Sequence, residues 1–165
     1  MTRHRALTID ASVHLNALAP AEEGSNASQE FLARVHRASP VAETSPQGAA
    51  SPPNEVFSPT LLPVEIAAAV ARVFDDTERG TQLAAAVLEL PAQTWIALDR
   101  SLADEASAVA AERRLRGADA VYAAVARRSE SRLVTRDRQQ IERLPPAIPA
   151  CPPEQALQFL DEASG

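Results

Sequence analysis

The chain has 165 residues, 45% of them hydrophobic, and a formal net charge of −6. That length fits one soluble domain, spanning 1–165, around one sizeable core, and argues against a second domain. Its single cysteine, Cys151, excludes an internal disulfide and a cysteine-based metal cluster, and its 16 basic side chains are all Arg, which excludes chemistries that need a phosphate-gripping Lys, such as P-loop nucleotide hydrolysis.

The apolar run ending at Ile9 predicts a first strand over 6–9, followed by helices over 12–18 and 28–38. Residues 39–54 are rich in Ser, Ala and Pro and lack hydrophobic periodicity, so they predict an exposed, flexible connection, read as a surface insertion ahead of a substrate flap or partner arm. A short strand at 56–57 leads to helices over 60–74 and 78–90, the second ended by Pro91. A strand over 93–98, helices over 102–115 and 118–128, and a strand over 132–135 follow. A helix over 138–144, an extended piece around Ile148 and a helix over 154–161 opening near Pro153 complete the chain. Strands alternating with helices predict α/β architecture with a short central parallel sheet. No apolar stretch is long enough for a signal peptide or a membrane span, so a cytoplasmic protein is expected.

Four carboxylates stand where solubility does not explain them. Asp10 and Asp137 follow apolar runs, where strands end and helices begin, and in parallel sheets such strand ends face the ligand crevice. Glu65 and Asp119 are the only acids within helical stretches that read as apolar nearly all round, hence buried. Each has a structural alternative. Asp10 and Asp137 are good helix N-caps, with Asp137 and Gln140 spaced as a capping box, and Asp119 suits the positive end of its helix. Glu65 has the weakest alternative, because its helical neighbours are Leu61, Leu62, Ala68 and Ala69 and no Arg lies within one turn. A buried, unpaired carboxylate costs several kcal/mol, so another group must hold it.

If the four acids converge, each pair about 5 Å apart repels by roughly 3 kcal/mol at an effective dielectric near 20. Protons or a cation must compensate. Carboxylate oxygens without Cys or paired His favour a hard ion, Mg²⁺ or Mn²⁺, over Zn²⁺. His4, His14 and His36 show no ligand spacing and read as surface residues, Trp95 as core, and Tyr122 as core on the helix face of Asp119. Charge is segregated: residues 113–143 carry nine Arg against four acids, a net +5, while the rest of the chain is net −11. Arg113, Arg114, Arg116, Arg127, Arg128, Arg136 and Arg138 are therefore the pool for nucleic-acid backbone contacts, most of them serving as solvated helix ends.

At 9–12 (Ile-Asp-Ala-Ser), 59–65 (Pro-Thr-Leu-Leu-Pro-Val-Glu), 115–123 (Leu-Arg-Gly-Ala-Asp-Ala-Val-Tyr-Ala) and 133–137 (Leu-Val-Thr-Arg-Asp), the sequence resembles the PIN-domain ribonucleases, and among them the VapC-type toxins of toxin-antitoxin modules. The order of these fragments covers nearly the whole chain. The resemblance implies a PIN-like (Rossmann-like) α/β/α sandwich and a Mg²⁺-dependent endoribonuclease that cuts RNA with a metal-activated water. It implies a homodimer restrained by a cognate antitoxin. It also implies Asp10, Asp119 and Asp137 as metal ligands, with Glu65 acting directly or through water. Ser12 and Thr135 are placed to position phosphate, with local backbone capping as the equal alternative, and Arg116 is a further candidate for substrate positioning. The competing readings are a DNA nuclease on a related scaffold and an inactive PIN-like interaction module.

Overall fold

The computed structural model describes residues 5–37 and 54–162. The expected connection at 39–54 lies, apart from Asn54, outside the described residues. Five strands, β1 (Ala6–Ile9), β2 (Glu55–Pro59), β3 (Gln93–Ile96), β4 (Arg132–Val134) and β5 (Ala150–Cys151), form one sheet in the order β3-β2-β1-β4-β5. All pairings are parallel, with Leu7 opposite Val56 and Arg132, and Val134 opposite Cys151. The chain builds outward from β1 through β2 to β3 and then returns to the other side of β1 with β4. Strand order therefore reverses between β1 and β4, and the C-terminal ends of these two strands are the place where such sheets usually take a ligand.

Helices cover both faces because parallel strands need crossover connections and their side chains alternate in direction. Leu7, Ile9, Val56, Val134 and Cys151 face Val13 of α1 (Ala11–Ala17), Phe31 and Val35 of α2 (Ser25–Val35), and Ala156 and Leu160 of α8 (Pro153–Glu162). On the opposite face, α6 (Gly117–Arg128) runs between the sheet and α5 (Arg100–Arg113), and every residue from Ala120 to Ala126 is buried. Its alanines let the helix sit close to the sheet, while Leu62, Ile66 and Val70 of α3 (Leu62–Phe74) pack with Tyr122, Ala126 and Leu133. Fully burying a side chain such as Phe31, Leu62 or Leu133 contributes about 1.5–3 kcal/mol, so these two packed faces dominate what holds the sheet in place.

The pairing of α3 with α4 (Thr77–Leu88) depends on Gly80. A β-carbon there would stand 2.7 Å from the backbone oxygen of Ala67, too close for any other residue without separating the helices. The remaining helix, α7 (Arg138–Arg143), is short and is capped by Asp137. Among the described residues no helix is long and apolar enough to cross a membrane.

Several expectations are corrected. The α3 helix is apolar nearly all round but not buried all round, with Val64 and Val73 exposed while Leu62, Ile66 and Val70 are buried, so Glu65 is half-buried; Asp119, in the first turn of α6 ahead of its buried stretch, is half-buried as well. His14 is buried, not a surface residue, because α1 turns it between α2 and the α3–α4 pair; His36 is half-buried and His4 lies outside the described residues. Trp95 is only half-buried, packing at the margin of the core. The α2 helix starts at Ser25, three residues early, after Gly24 with φ +76°, and ends at Val35. The α4 helix stops at Leu88, before Pro91, and Glu89 and Leu90 close tight turns onto Ala86 and Val87. The extended piece expected around Ile148 pairs two residues later, as β5.

Candidate active site

In a parallel α/β sheet the connecting helices run opposite to the strands, so their N-termini collect at the C-terminal edge of the sheet. This arithmetic brings the four acids together. Asp10 follows β1 and is the N-cap of α1; Asp137 follows β4 and is the N-cap of α7; Glu65 and Asp119 lie in the first turns of α3 and α6. Four helix N-termini with their partial positive charge thus meet four carboxylates, which lowers the cost of gathering so much negative charge.

The hydrogen bonds show how each acid is held. Asp10, 5% exposed, accepts from the Ser12 backbone N–H through Oδ2 (2.9 Å) and from the Gln140 side-chain amide through Oδ1 (3.3 Å). Asp137 Oδ1 accepts from the backbone N–H groups of Gln139 (2.7 Å) and Gln140 (3.3 Å), which leaves Oδ2 outside the cap. The capping roles weighed for both residues are therefore real, and each uses only part of the carboxylate. Glu65 Oε2 accepts from the Tyr122 hydroxyl at 2.6 Å, and that hydroxyl is itself met by the backbone amide of Ala11. One phenol oxygen so links α6, α3 and the start of α1.

Electrostatics ties the acids to one another. Burial pushes the carboxyls of Asp10, Glu65 and Asp119 above the usual range. Neighbouring charge adds to it: Asp137 acts on Asp10, Asp10 and Asp119 on Glu65, and Asp10 and Asp137 on Asp119. Raised values from burial plus like charge in a crevice are a signature of functional sites. Burial also pushes the Tyr122 phenol up, so it remains a hydrogen-bond donor to Glu65.

The hydroxyl residues serve the backbone around the acids. Thr135, fully buried, accepts from the Asp137 N–H (3.0 Å), and Ser12 accepts from the Arg136 N–H (3.0 Å); the two hydroxyl oxygens are 3.4 Å apart. This is the capping alternative, and it fixes the turn that presents Asp137. Arg116 is exposed at the N-cap of α6, where its charge favours ionised Asp119. Much of the Arg pool is committed elsewhere. Arg127 and Arg128 pair with Glu105 of α5, and Arg136 is locked to Glu154 (2.7 and 2.8 Å), to Asn16 Oδ1 (3.1 Å) and to the Glu23 carbonyl (3.2 Å). The Arg136 guanidinium occupies the space a side chain at residue 24 would need, so Gly24 is required there twice over, by φ and by contact. Arg138 remains exposed at the start of α7.

Gln140 was legible in the sequence only as the far end of a capping box. It is fully buried, and its side-chain amide meets Asp10 and favours the ionised form of Asp119 while its backbone amide meets Asp137. Its Oε1 has no hydrogen-bond partner among the described residues. A polar residue following an N-cap acid by three, on a helix one turn from the crevice, was the only signal available.

Among the described residues no three His, Cys, Asp or Glu side chains already have the spacing of a metal site. Like charges in the same crevice turn toward N–H and O–H donors: Asp10 to Ser12 and Gln140, Glu65 to Tyr122, Asp137 to its own helix. The donor set nonetheless fits a hard divalent cation, since it is all carboxylate oxygen, without sulfur or imidazole, and a buried amide oxygen is left unpaired beside it.

A five-stranded parallel sheet with acids gathered at the β1/β4 reversal is the arrangement of a PIN domain, and the chain belongs to that family: the PIN domain model matches residues 7–145. No curated protein sequence matches it significantly. Among solved structures it is similar to the sarcin-ricin loop cleaving toxin VapC20 of Mycobacterium tuberculosis, with TM-score 0.60 and 16% identity over 82% of this chain and 93% of that one. It is also similar to a chain of VapBC2 from Rickettsia felis bound to a promoter DNA fragment (TM-score 0.58, 13% identity, 89% and 98% covered). A toxin-antitoxin complex from Klebsiella pneumoniae gives TM-score 0.57 and 14% identity over 89% and 97%. These likenesses establish a fold shared with VapC toxins.

Proposed function

We propose that this PIN domain is a Mg²⁺-dependent endoribonuclease, the toxin of a toxin-antitoxin pair. The observation that carries the reading is the meeting of Asp10, Glu65, Asp119 and Asp137 at four helix N-termini, with three of them pushed toward protonation by burial and by one another. Such a set is unstable alone and complete with a cation.

Asp10, Asp119 and Asp137, with Glu65 directly or through water, would hold Mg²⁺, for which Mn²⁺ is the natural substitute. Bound there, the ion would polarise a phosphoryl oxygen and lower the pKa of water to supply the nucleophile. The chain's own residues do the rest. Tyr122 fixes the Glu65 carboxylate through Oε2, leaving Oε1, on a carboxyl already raised, to accept a proton. The Ser12 and Thr135 hydroxyls hold the turn that aims Asp137, and exposed Arg116, whose charge acts on Asp119, supplies positive charge for the backbone of the substrate.

An antitoxin partner is supported by the structural likeness to toxin-antitoxin complexes, and a homodimer and a cytoplasmic setting accompany the same reading. The test uses purified protein with structured RNA and sequence-matched DNA in millimolar Mg²⁺. Cleavage of RNA alone is expected, falling at least about 100-fold in Asp119→Asn and in Asp10→Asn. Preferential cutting of DNA would move the assignment to the DNA nuclease, and full activity in both variants would remove the acids from the mechanism.

A further inference from the structure

We infer that Gln140 is a positioning residue of the acidic site: its side-chain amide anchors the Asp10 carboxylate and its backbone N–H the Asp137 carboxylate, so that the two acids are oriented for a cation to draw them together with Asp119. The inference rests on the cation-binding reading above and adds a neutral residue that the acids do not explain.

Gln140 is fully buried on the inner side of α7, where a leucine would pack at no polar cost. Its Nε2 donates to Asp10 Oδ1 at 3.3 Å, and the same amide stabilises ionised Asp119. In their ionised, cation-holding form these partners accept only, which fixes the way the amide points: reversing it would aim a carbonyl at two carboxylates. The orientation forced on Nε2 leaves Oε1 without a partner among the described residues, although buried acceptors are nearly always satisfied. The backbone N–H of the same residue reaches Asp137 Oδ1 at 3.3 Å. One residue thus touches two of the four acids and favours the ionised form of a third, with its own buried oxygen left unpaired. A hydrogen bond to a carboxylate oxygen leaves that oxygen a second lone pair for a cation, and residues that orient ligands in this way typically change metal affinity 10–100-fold when lost.

The experiment titrates cation-free protein with Mn²⁺ and Mg²⁺ by calorimetry, comparing wild type, Gln140→Met and Asp119→Asn, each checked for native circular dichroism. Methionine keeps the volume and removes both polar ends. We expect Asp119→Asn to lose measurable binding and Gln140→Met to raise Kd about 10–100-fold with native folding. Wild-type affinity in folded Gln140→Met, alongside loss in Asp119→Asn, overturns this inference and leaves the acid site standing. Absence of binding in wild type overturns both. If the methionine variant does not fold, the wild-type protein decides: the side-chain amide resonances of Gln140 should move on saturation with Mg²⁺, and resonances that stay in place refute the role.

Discussion

At the scale of single residues, the site works by giving Asp10, Glu65 and Asp137 fixed hydrogen-bond donors that still leave lone pairs on each carboxylate for a cation. Tyr122 is the sharpest case. Its ring fills the core, and its hydroxyl takes the Ala11 amide and gives its proton to Glu65, so it answers the question the sequence left open about what holds an acid among Leu and Ala. Tyr122→Phe keeps the ring and strands both partners, so the cation-free protein should lose about 1–2 kcal/mol in urea denaturation. An unchanged midpoint would mean that Glu65 simply rehydrates. The burial of His14 is the converse lesson. A lone histidine in a seven-residue helix gives no hint of depth, because the apolar wall around it comes from α2, α3 and α4, and burial there together with the charge of His36 pushes its imidazole down to about 3.

At the scale of elements, short helices are placed by close contacts rather than by their own propensity. The α3 helix must be held firmly because it carries Glu65, and the Gly80 approach to Ala67 lets α4 brace it from outside. Gly80→Ala should separate the pair and cost about 1–3 kcal/mol, read as a lower melting temperature. If the loss is purely a packing effect, Mg²⁺ should stabilise that variant as much as it stabilises wild type. The β1, β3 and β4 strands were legible because strand periodicity is local. The register of α2 was not, because its start is set by Gly24 yielding to the Arg136 side chain from more than a hundred residues away.

At the scale of the whole molecule, the carboxyls of the site and the buried His14 give stability opposite pH dependences. Asp10, Glu65 and Asp119 have raised values in the folded protein, so their contribution is present below the ordinary carboxyl range and is lost as pH rises through the folded values. His14 is depressed from 6.5 to about 3, so its contribution is present above 6.5 and is lost as pH falls toward the folded value, by about 1.4 kcal/mol per pH unit at most. The cation-free protein should therefore be most stable at mildly acidic pH. His14→Gln should flatten the loss below 6.5, and millimolar Mg²⁺ should raise the melting temperature at pH 7–8 but not near pH 4, where the acids are protonated. A Mg²⁺ effect of equal size at both pH values would contradict a shared acidic site.

The amino-acid order alone determined the class of fold and named the four acids, because strand ends, helix starts and apolar runs are local features that short-range physics imposes on neighbouring residues. It also determined that any cation held would be a hard one, since the chain places only oxygen donors at those positions. The sheet order decided that Asp10 and Asp137 share a crevice, because β1 and β4 are adjacent only through pairing across the chain. The tertiary structure decided that Tyr122 holds Glu65, that Arg136 is occupied with Glu154, and that Gln140 sits among the acids with an unpaired oxygen. Those facts depend on which side chains meet after α3, α6 and α7 have packed, and no spacing along the chain encodes a contact made between separate helices.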